Sequence, residues 1–480
     1  MRNPEDEDAR LPFPTAPISN GEWCPLPVTE KQHLATTLIG EAMDTQAKRH
    51  GMTHARFLRT AAATATAFAV LNKVHGLEQS GDAAAMPLKK QHCDDLDAAH
   101  ELLDREQFVM DVQQHHVDVD FYGQDVARRF FCNLEFRPSD LPCPDSIGQL
   151  NYIREVFVNS KTDVGVISGL PSGVPLGPAK MAETRDLVNQ LAGSQRAYSQ
   201  AVCDPLRPEG QPTAIDQMEH QVRDLKGRAL KCYTYSDFGW RLDDEKVAYP
   251  MLREATRLGI KLLNVHKGLP AIFAPGSPET VRTIDFPKVV RDWPHMKFCA
   301  YHSGYFQSGS HPEGKDGITE FLEVIASIPK KLRKNVYAEI GSTFAITFLR
   351  NPLEAADLLG KLLKALGPHN ILWGTDSIWW GSPQFLIDAF NLLEIPTSMQ
   401  EQFGYPPLTK RAKQLILGLN AAKLYGVKPK AERCTIPPDR LQQLQLANDG
   451  TRAGRSLRWF GPQTRRGFFA MMRGQIPTFS

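Results

Sequence analysis

The chain has 480 residues, which exceeds one average domain but fits a single large domain with long extensions. Hydrophobic residues make up 42% and charged residues 23%, proportions typical of a soluble protein with a sizeable core. The formal net charge of +2 predicts no general attraction to nucleic acid or membrane, and no run approaches the ~20 apolar residues that span a bilayer. We therefore expect a small-molecule substrate and no nucleic-acid or membrane partner. The sequence leaves open whether the protein forms a homo-oligomer.

Residues 1–107 are predicted to form a partly helical N-terminal extension. Within it, residues 53–71 resemble a twin-arginine export signal, because an apolar Ala/Thr-rich stretch follows Arg59. However, His54 and Ala55 stand where the two arginines belong, and export signals lie at the N-terminus with a basic entry region. The pattern favours an amphipathic helix packed on the main domain. The eight scattered cysteines include no C-x-x-C pair, so we expect reduced thiols and a cytoplasmic protein, with export as the alternative.

From Phe108 onward, strand-like and helix-like patterns alternate with short connections. Eight strands are predicted, at residues 108–115, 163–169, 197–204, 229–235, 260–266, 297–302, 335–341 and 370–376. Helices are predicted between them, at residues 178–192, 214–226, 246–258, 285–292, 317–334 and 353–366, and a closing helix at 409–424. Alternating βα units predict an α/β fold with a (β/α)8 TIM barrel at residues 108–427. Residues 428–480 form a predicted basic and aromatic tail that packs on the barrel or on a second subunit.

Four of the predicted strands end in a chemically active side chain. These are His115, His266, His302 and Asp376. The carboxyl ends of the strands form the mouth of a (β/α)8 barrel, so we expect the four groups to converge there. Side chains alternate between the two faces of a strand. In the first strand this predicts that the apolar Phe108, Met110 and Val112 face the helices, and that the polar Asp111, Gln113 and His115 face the barrel axis. In the sixth strand the same alternation aligns His302 with Phe298 and Ala300.

The residue types at these strand ends indicate metal chemistry. Two imidazoles and a carboxylate, with one position left open, are a typical ligand set for a divalent transition metal. Such a metal lowers the pKa of its water and polarises a carbonyl group. A further imidazole nearby acts as a general base or acid around neutral pH.

These motifs resemble those of the amidohydrolase superfamily, in the amidohydrolase-related branch that includes aminocarboxymuconate-semialdehyde decarboxylase-like enzymes. The resemblance covers residues 108–427 and is strongest at Asn264–Gly268, Phe298–Gly304 and Ile371–Ser377. It implies a metal-dependent enzyme on a TIM barrel.

The resemblance also implies roles for single residues. It makes His266 a metal ligand, His302 a second ligand or the catalytic acid/base, and Asp376 a ligand or the acceptor of a proton from the attacking water. The chain departs from the family in the first strand, where H-x-H is usual and Gln113 stands in place of the first histidine. Because an amide is a poor substitute for imidazole on zinc, we expect a mononuclear site with His115, His266 and Asp376 as ligands and Gln113 as a doubtful one. Zinc is the first candidate, and a harder ion or no metal is the alternative.

Three further residues are candidates for substrate binding. Lys231 lies in the fourth strand, where some superfamily members carry a carboxylated lysine that bridges two metals. As a free amine it would anchor an anionic substrate or pair with Glu339 of the seventh strand. Trp240 and Trp379 lie on predicted loops at the catalytic end, where aromatic rings either stack on a planar substrate or pack into the protein.

Three functions are compatible with this sequence. The first is a hydrolase in which a metal-activated water attacks a C–O or C–N bond of a small carbonyl substrate, with Asp376 accepting its proton and His302 assisting the leaving group. The second is a lyase, namely a non-oxidative decarboxylase of an aromatic or unsaturated carboxylic acid. The third is a barrel that binds a ligand without turnover. Because one fold supports all three, the choice depends on the site.

Overall fold

A computed structural model describes residues 11–77, 85–103, 107–121, 145–171, 175–235, 239–274, 276–429, 439–450 and 457–475. The first ten residues of the predicted N-terminal extension and parts of the predicted tail therefore lie outside the described residues. The helices and strands named below belong to these ranges.

The chain forms a (β/α)8 TIM barrel. Its strands are β1 (Met110–Gln114), β2 (Val164–Ile167), β3 (Ala197–Ser199 and Ala201–Val202), β4 (Leu230–Tyr233), β5 (Leu262–Gly268), β6 (Lys297–Tyr305), β7 (Val336–Glu339) and β8 (Ile371–Leu372). Neighbouring strands pair in parallel from β1 to β8, with β3 interrupted at Gln200. The barrel closes between β8 and β1, where the nitrogen of Val112 donates to the carbonyl oxygen of Trp373 at 3.1 Å.

Helices precede, connect and follow these strands. The N-terminal helices are Glu30–Arg49, His54–Phe57, Ala61–Val74, Gln91–Asp94 and Leu96–Leu103. The helices among the strands are Gln149–Ile153, Pro178–Ala192, Met218–Arg223, Ala248–Arg257, Ser277–Thr280, Phe286–Asp292, Thr319–Ser327, Thr343–Arg350 and Pro352–Leu366. After β8 come Gln384–Leu392, Thr397–Phe403, Lys410–Gln414, Asn420–Tyr425, Arg440–Gly450 and Arg465–Gln475. Short 3-10 turns lie at Asp145–Ile147, Ile215–Gln217, Lys330–Asn335 and Pro368–Asn370, and π-helical turns at Arg154–Val158 and Leu415–Leu419.

Local signals explain where many of these helices begin and end. The helix predicted at 178–192 occupies those same residues, with Pro178 in its first turn and Gly193 after its last residue. Proline suits the first turn because it has no N–H to leave unpaired, and Gly193 takes a left-handed conformation with φ 76°. The last helix before the tail ends in the same way, at Gly426 with φ 70°.

The interior of the barrel is apolar below the mouth, and this corrects one expectation. Met110 and Val112 of β1 lie in a buried cluster with residues of the closing helix and of other strands, the latter including Val166, Tyr198, Cys299, Tyr301 and Leu372. The prediction that the apolar face of β1 meets the helices is therefore wrong, since bulky apolar residues fill a barrel of this size. In β6 it is Phe298 that faces outward, and its ring lies 6.3 Å from that of Phe286 on a covering helix.

The N-terminal helices and the tail pack on the barrel domain. Phe68, in the apolar stretch that resembles an export signal, makes ring contacts with Phe13 at 5.1 Å and with Phe348 of a barrel helix at 5.6 Å. Trp459 and Phe460 of the tail are buried. Among the described residues, no helix is both long and apolar enough to cross a membrane.

Candidate active site

His115 and Asp376 form the pair at the end of β1 and β8. The His115 ring places Nδ1 2.7 Å from the carbonyl oxygen of Ser168, where it donates, and Nε2 3.2 Å from Oδ1 of Asp376. His115 Nε2 therefore faces the carboxylate directly, and a hydrogen on Nε2 donates to Oδ1.

Asp376 is fully enclosed and held by several donors. Its Oδ2 accepts hydrogen bonds from Ser342 Oγ at 2.6 Å and Asn20 Nδ2 at 3.0 Å. Burial would raise the pKa of this carboxyl, but the hydrogen bonds from His115 and Ser342 outweigh burial and hold the pKa below its ordinary value. Asp376 is therefore an anion at neutral pH, and it has a left-handed backbone with φ 60°. A non-glycine residue in that region is uncommon and often marks a functional site.

His302 reaches the mouth because the backbone of β6 changes direction there. His302 and Ser303 both have positive φ, 65° and 53°, which ends the strand alternation that would align His302 with Phe298. The His302 nitrogen donates to Glu339 Oε2 at 3.0 Å, and its ring Nδ1 donates to the carbonyl oxygen of Gly341 at 2.8 Å. The ring therefore presents a lone pair on Nε2. Burial lowers the pKa of His302 to about 3, so the ring is neutral.

His266 also presents an unused ring nitrogen. Its Nε2 donates to the carbonyl oxygen of Leu269 at 3.2 Å, which leaves the lone pair on Nδ1. That Nδ1 is buried and has no hydrogen-bond partner among the described residues. Burial and the nearby charge of Lys231 lower the pKa of His266 to about 3. The centres of the His266 and His302 rings are 4.6 Å apart.

Gln113 joins this group, with its amide nitrogen toward the other residues. Gln113 Nε2 lies 3.3 Å from His302 Nε2 and 3.2 Å from Asp376 Oδ1, so it donates to both. The pairing of β1 with β2 is irregular between Asp111 and Gln114, and a bulge of this kind re-aims a side chain. The four strand-end residues expected at the mouth and Gln113 therefore lie in one network.

The sequence did not predict three residues of the site: Asn20 and Glu22 come from the N-terminal extension, and Ser342 follows β7. Asn20 Nδ2 donates to Glu22 Oε2 at 2.8 Å as well as to Asp376. Glu22 Oε1 accepts from the hydroxyl of Tyr235 at 2.5 Å, and Glu22 Oε2 lies 3.8 Å from His266 Nδ1. No periodic or spacing signal in residues 11–27 indicates this role. Ser342 and Glu339, by contrast, follow the same strand-end rule as the predicted residues.

These side chains include a ligand set for a divalent cation. Glu22, His266 and His302 each offer one ligand atom, and these atoms all lie within 4.8 Å of one another in a buried place. A carboxylate and two neutral imidazoles are ligands that zinc and similar ions prefer. The unpaired Nδ1 of His266 is the observation that a cation would explain, so the residues fit such an ion.

Lys231 lies inside the barrel beneath this group. Its Nζ is buried, has no hydrogen-bond partner among the described residues, and sits 3.9 Å from the centre of the Tyr301 ring and 4.5 Å from that of Tyr233. Burial lowers the pKa of Lys231 to about 8, and the carboxylates of Glu22 and Glu339 act in the opposite direction. Lys231 and Glu339, the expected alternative pair, interact by charge but share no hydrogen bond.

The two tryptophans proposed for substrate binding are packed into the protein. Trp240 and Trp379 are each 4% exposed. Trp240 belongs to the large apolar core that includes Leu242. The carbonyl oxygen of Trp379 accepts a hydrogen bond from the nitrogen of Phe460 at 2.7 Å, which places the tail over this residue.

Comparison with known proteins identifies the family. A model described as amidohydrolase matches residues 177–427, just over half of the chain. The chain belongs to the amidohydrolase family. The match contains His266, His302 and Asp376 of this amidohydrolase, whereas His115 and Gln113 precede it. The protein is thus an enzyme of the amidohydrolase superfamily by membership. No curated protein matches the chain.

Several solved structures are similar to this amidohydrolase at low identity. The 5-carboxyvanillate decarboxylase of Sphingomonas paucimobilis is 15% identical with a TM-score of 0.43, over 67% of this chain and 100% of the other. The 4-oxalomesaconate hydratase of Rhodopseudomonas palustris is 16% identical with a TM-score of 0.43, over 72% and 99%. An amidohydrolase of Burkholderia multivorans with bound zinc is 14% identical with a TM-score of 0.38, over 67% and 100%. The substrates and the metal named here are those of the other proteins.

Proposed function

We propose that this amidohydrolase is a metal-dependent hydrolase of a C–O or C–N bond in a small carbonyl substrate that carries a carboxylate. The observation that carries the proposal is the position of the ionised Asp376, whose Oδ2 is held by Ser342 and Asn20 while Oδ1 faces His115 beside the imidazoles of His266 and His302. Hydrolysis requires a base for the attacking water. A decarboxylase must instead deliver a proton to carbon, and a carboxyl that stays ionised is poorly suited to donate one.

His266 would hold the cation through Nδ1, which has no hydrogen-bond partner among the described residues, with zinc as the first candidate. His302 would hold it through Nε2 in exchange for the hydrogen bond from Gln113. A divalent cation bound there supplies Lewis acidity, which lowers the pKa of water and polarises a carbonyl group. Asp376 accepts the proton of the attacking water and returns it to the leaving oxygen or nitrogen. Ser342 and Asn20 fix the carboxylate for both transfers through their hydrogen bonds to Oδ2.

The buried Lys231 favours a substrate that carries an anionic group. An ammonium group buried without a hydrogen-bond partner is costly, and a bound carboxylate would supply the missing interaction. The aromatic faces of Tyr233 and Tyr301 position the lysine by cation–π contact.

The test uses water labelled with heavy oxygen and a panel of carboxylate-bearing lactones and amides. We expect turnover with label in the new carboxyl group, loss of turnover after metal removal, and recovery on adding a divalent metal. Release of carbon dioxide, with no label incorporated into the other product, would support the decarboxylase instead. Absence of any turnover across both substrate classes by metal-loaded protein would support the ligand-binding barrel.

A further inference from the structure

We propose that Glu22, on the N-terminal extension, supplies the carboxylate ligand of the divalent-cation site and takes the place that Gln113 leaves open on β1. This inference rests on the proposed metal-dependent function. It makes the extension a part of the active site, because the barrel strands by themselves lack this carboxylate.

Gln113 is engaged elsewhere. Its Nε2 donates to His302 Nε2 and Asp376 Oδ1, so the amide offers hydrogens and not a lone pair to the centre of the group. Its Oε1 lies on the side of Gly341, where a Cβ atom would come within 2.6 Å of that oxygen. Gln113 Oε1 has no hydrogen-bond partner among the described residues, but it lies beside Gly341, so Gln113 meets His302 and Asp376 only through Nε2 and is not placed as a ligand.

Glu22 is placed as a ligand. Its Oε2 faces His266 Nδ1 at 3.8 Å, and that nitrogen carries a lone pair because the other ring nitrogen donates to the carbonyl oxygen of Leu269. Two lone pairs that face each other without a shared hydrogen repel, whereas donor atoms on one zinc-sized ion stand about 3 to 4 Å apart. Glu22 Oε2 and His266 Nδ1 have the separation of two ligands on a common cation.

The segment that carries Glu22 is held in place by hydrogen bonds of its own. The nitrogen of Gly21 donates to Ser19 Oγ at 3.0 Å, and the nitrogen of Glu22 donates to Asn20 Oδ1 at 2.9 Å. The carbonyl oxygen of Glu22 accepts from the nitrogen of Ile272 at 2.8 Å. Gly21 has φ 92°, a backbone that favours glycine. These contacts present the carboxylate before any ion arrives.

Charge leads to the same conclusion. The Glu22 side chain is only 10% exposed, and a carboxylate removed from water is destabilising unless it is paired. Its two hydrogen-bond donors, the Tyr235 hydroxyl and the Asn20 amide, are neutral, and the Lys231 ammonium interacts with it by charge without a hydrogen bond. A divalent cation at this position would compensate the charges of Glu22 and Asp376 together.

The experiment measures metal affinity and does not depend on activity. Full-length protein, stripped of metal, is titrated calorimetrically with zinc and with manganese for the wild type, Glu22→Gln, Glu41→Gln and the double variant Glu22→Gln/Gln113→His. Glu41 is an exposed glutamate on an N-terminal helix and serves as the matched control. Thermal melting without metal establishes that each variant is folded, and Glu22→Asp replaces Glu22→Gln if the latter does not fold.

We expect Glu22→Gln to weaken metal binding at least about tenfold, while Glu41→Gln binds as the wild type does. The double variant should regain at least part of the loss, because it returns a ligand to β1. A folded Glu22→Gln with wild-type affinity overturns the inference and leaves the proposed metal-dependent function standing. Failure of the wild type to bind either ion overturns both. A double variant that regains nothing overturns the statement that Glu22 substitutes for a β1 ligand.

Discussion

The nitrogen of Ser19 donates to the carbonyl oxygen of Pro462 at 2.9 Å, so the two extensions of the chain meet above the barrel mouth. Gly461, beside Pro462, lies against the same segment: a Cβ atom there would come 2.0 Å from the carbonyl oxygen of Ser19 and 2.7 Å from Ile18 Cγ2. The tail thereby fixes the segment that delivers Asn20 and Glu22 to the site.

Gly461→Ala should displace that segment. We expect a loss of about 1–3 kcal/mol in the free energy of unfolding, the usual cost of overpacking, together with weaker zinc binding because Glu22 moves. Urea denaturation and calorimetric titration measure the two effects. Gly276→Ala is the control, since nothing lies within 4 Å of the added atom. Unchanged stability and zinc affinity in Gly461→Ala would show that the tail does not position Glu22.

Asp376→Asn should nearly preserve folding and reduce turnover by ~100-fold or more, because a neutral amide cannot accept the proton of water. Its carbonyl oxygen can still accept from Ser342 and Asn20. Initial rates at saturating metal and a thermal melt check the two statements, and the exposed Asp224→Asn serves as the control. Wild-type turnover by folded Asp376→Asn would place the proton acceptor elsewhere.

Lys231 should make catalysis depend on pH at the alkaline end. Burial lowers the pKa of this lysine to about 8, so the free enzyme loses the ammonium charge above that pH. For a carboxylate substrate we expect kcat/KM of the wild type to fall about tenfold per pH unit above pH 8. Lys231→Met should have a low kcat/KM that does not fall in this range. A profile of kcat/KM from pH 6 to 10 for both proteins would contradict the role if the wild type and the variant had the same shape.

The same shift has a consequence for stability, with a definite sign. The pKa of Lys231 in the folded state lies below its ordinary value of 10.5, so between about pH 8 and 10.5 the unfolded chain binds more protons than the folded protein. Stability contributed by this position should therefore rise with pH across that window. Urea denaturation at pH 8 and pH 10 should show a larger gain in the wild type than in Lys231→Met; an equal gain would contradict the assigned burial penalty.

Lys267, next to His266, forms an ion pair that stabilises the strand end carrying this site residue. It faces away from the barrel axis and forms a fully buried ion pair with Asp285 at 2.7 Å. Lys267→Met should cost about 3–5 kcal/mol in the free energy of unfolding, because it leaves the carboxylate buried and unpaired. Lys288→Met, in an exposed ion-pair network, should cost much less, because water screens that network. Similar losses in the two variants would argue against the buried pair.

The sequence predicted the barrel from local patterns. Strand and helix periodicity depends on side chains close together in the chain, and signals such as Pro178 and Gly193 act within one turn of helix. For this reason the eight predicted strands overlap β1 to β8 and the six predicted helices overlap helices of the structure, whereas the short helices Gln149–Ile153, Ser277–Thr280 and Thr343–Arg350 were not predicted. The convergence of His115, His266, His302 and Asp376 follows from the same information, since parallel strands of a barrel share one carboxyl end.

Side-chain direction at the strand ends was less predictable. Counting alternate residues aligned His302 with Phe298, but the left-handed backbone at His302 and Ser303 turns the imidazole into the mouth. Alternation also assigned the wrong face to Met110 and Val112 of β1, which fill the barrel interior. A bulge or a residue with a left-handed backbone changes which face of the strand the following side chains occupy, and it leaves no periodic signal in the sequence.

The sequence by itself determined the fold and the strand-end residues, and only the tertiary structure decided how the site is completed. Asn20 and Asp376 are 356 residues apart in the chain, yet they share a hydrogen bond. Glu22 likewise reaches His266 through packing of the extension on the mouth and the tail on the extension. Such contacts depend on the packing of the whole chain, because periodicity reports only on neighbours within one helix or strand.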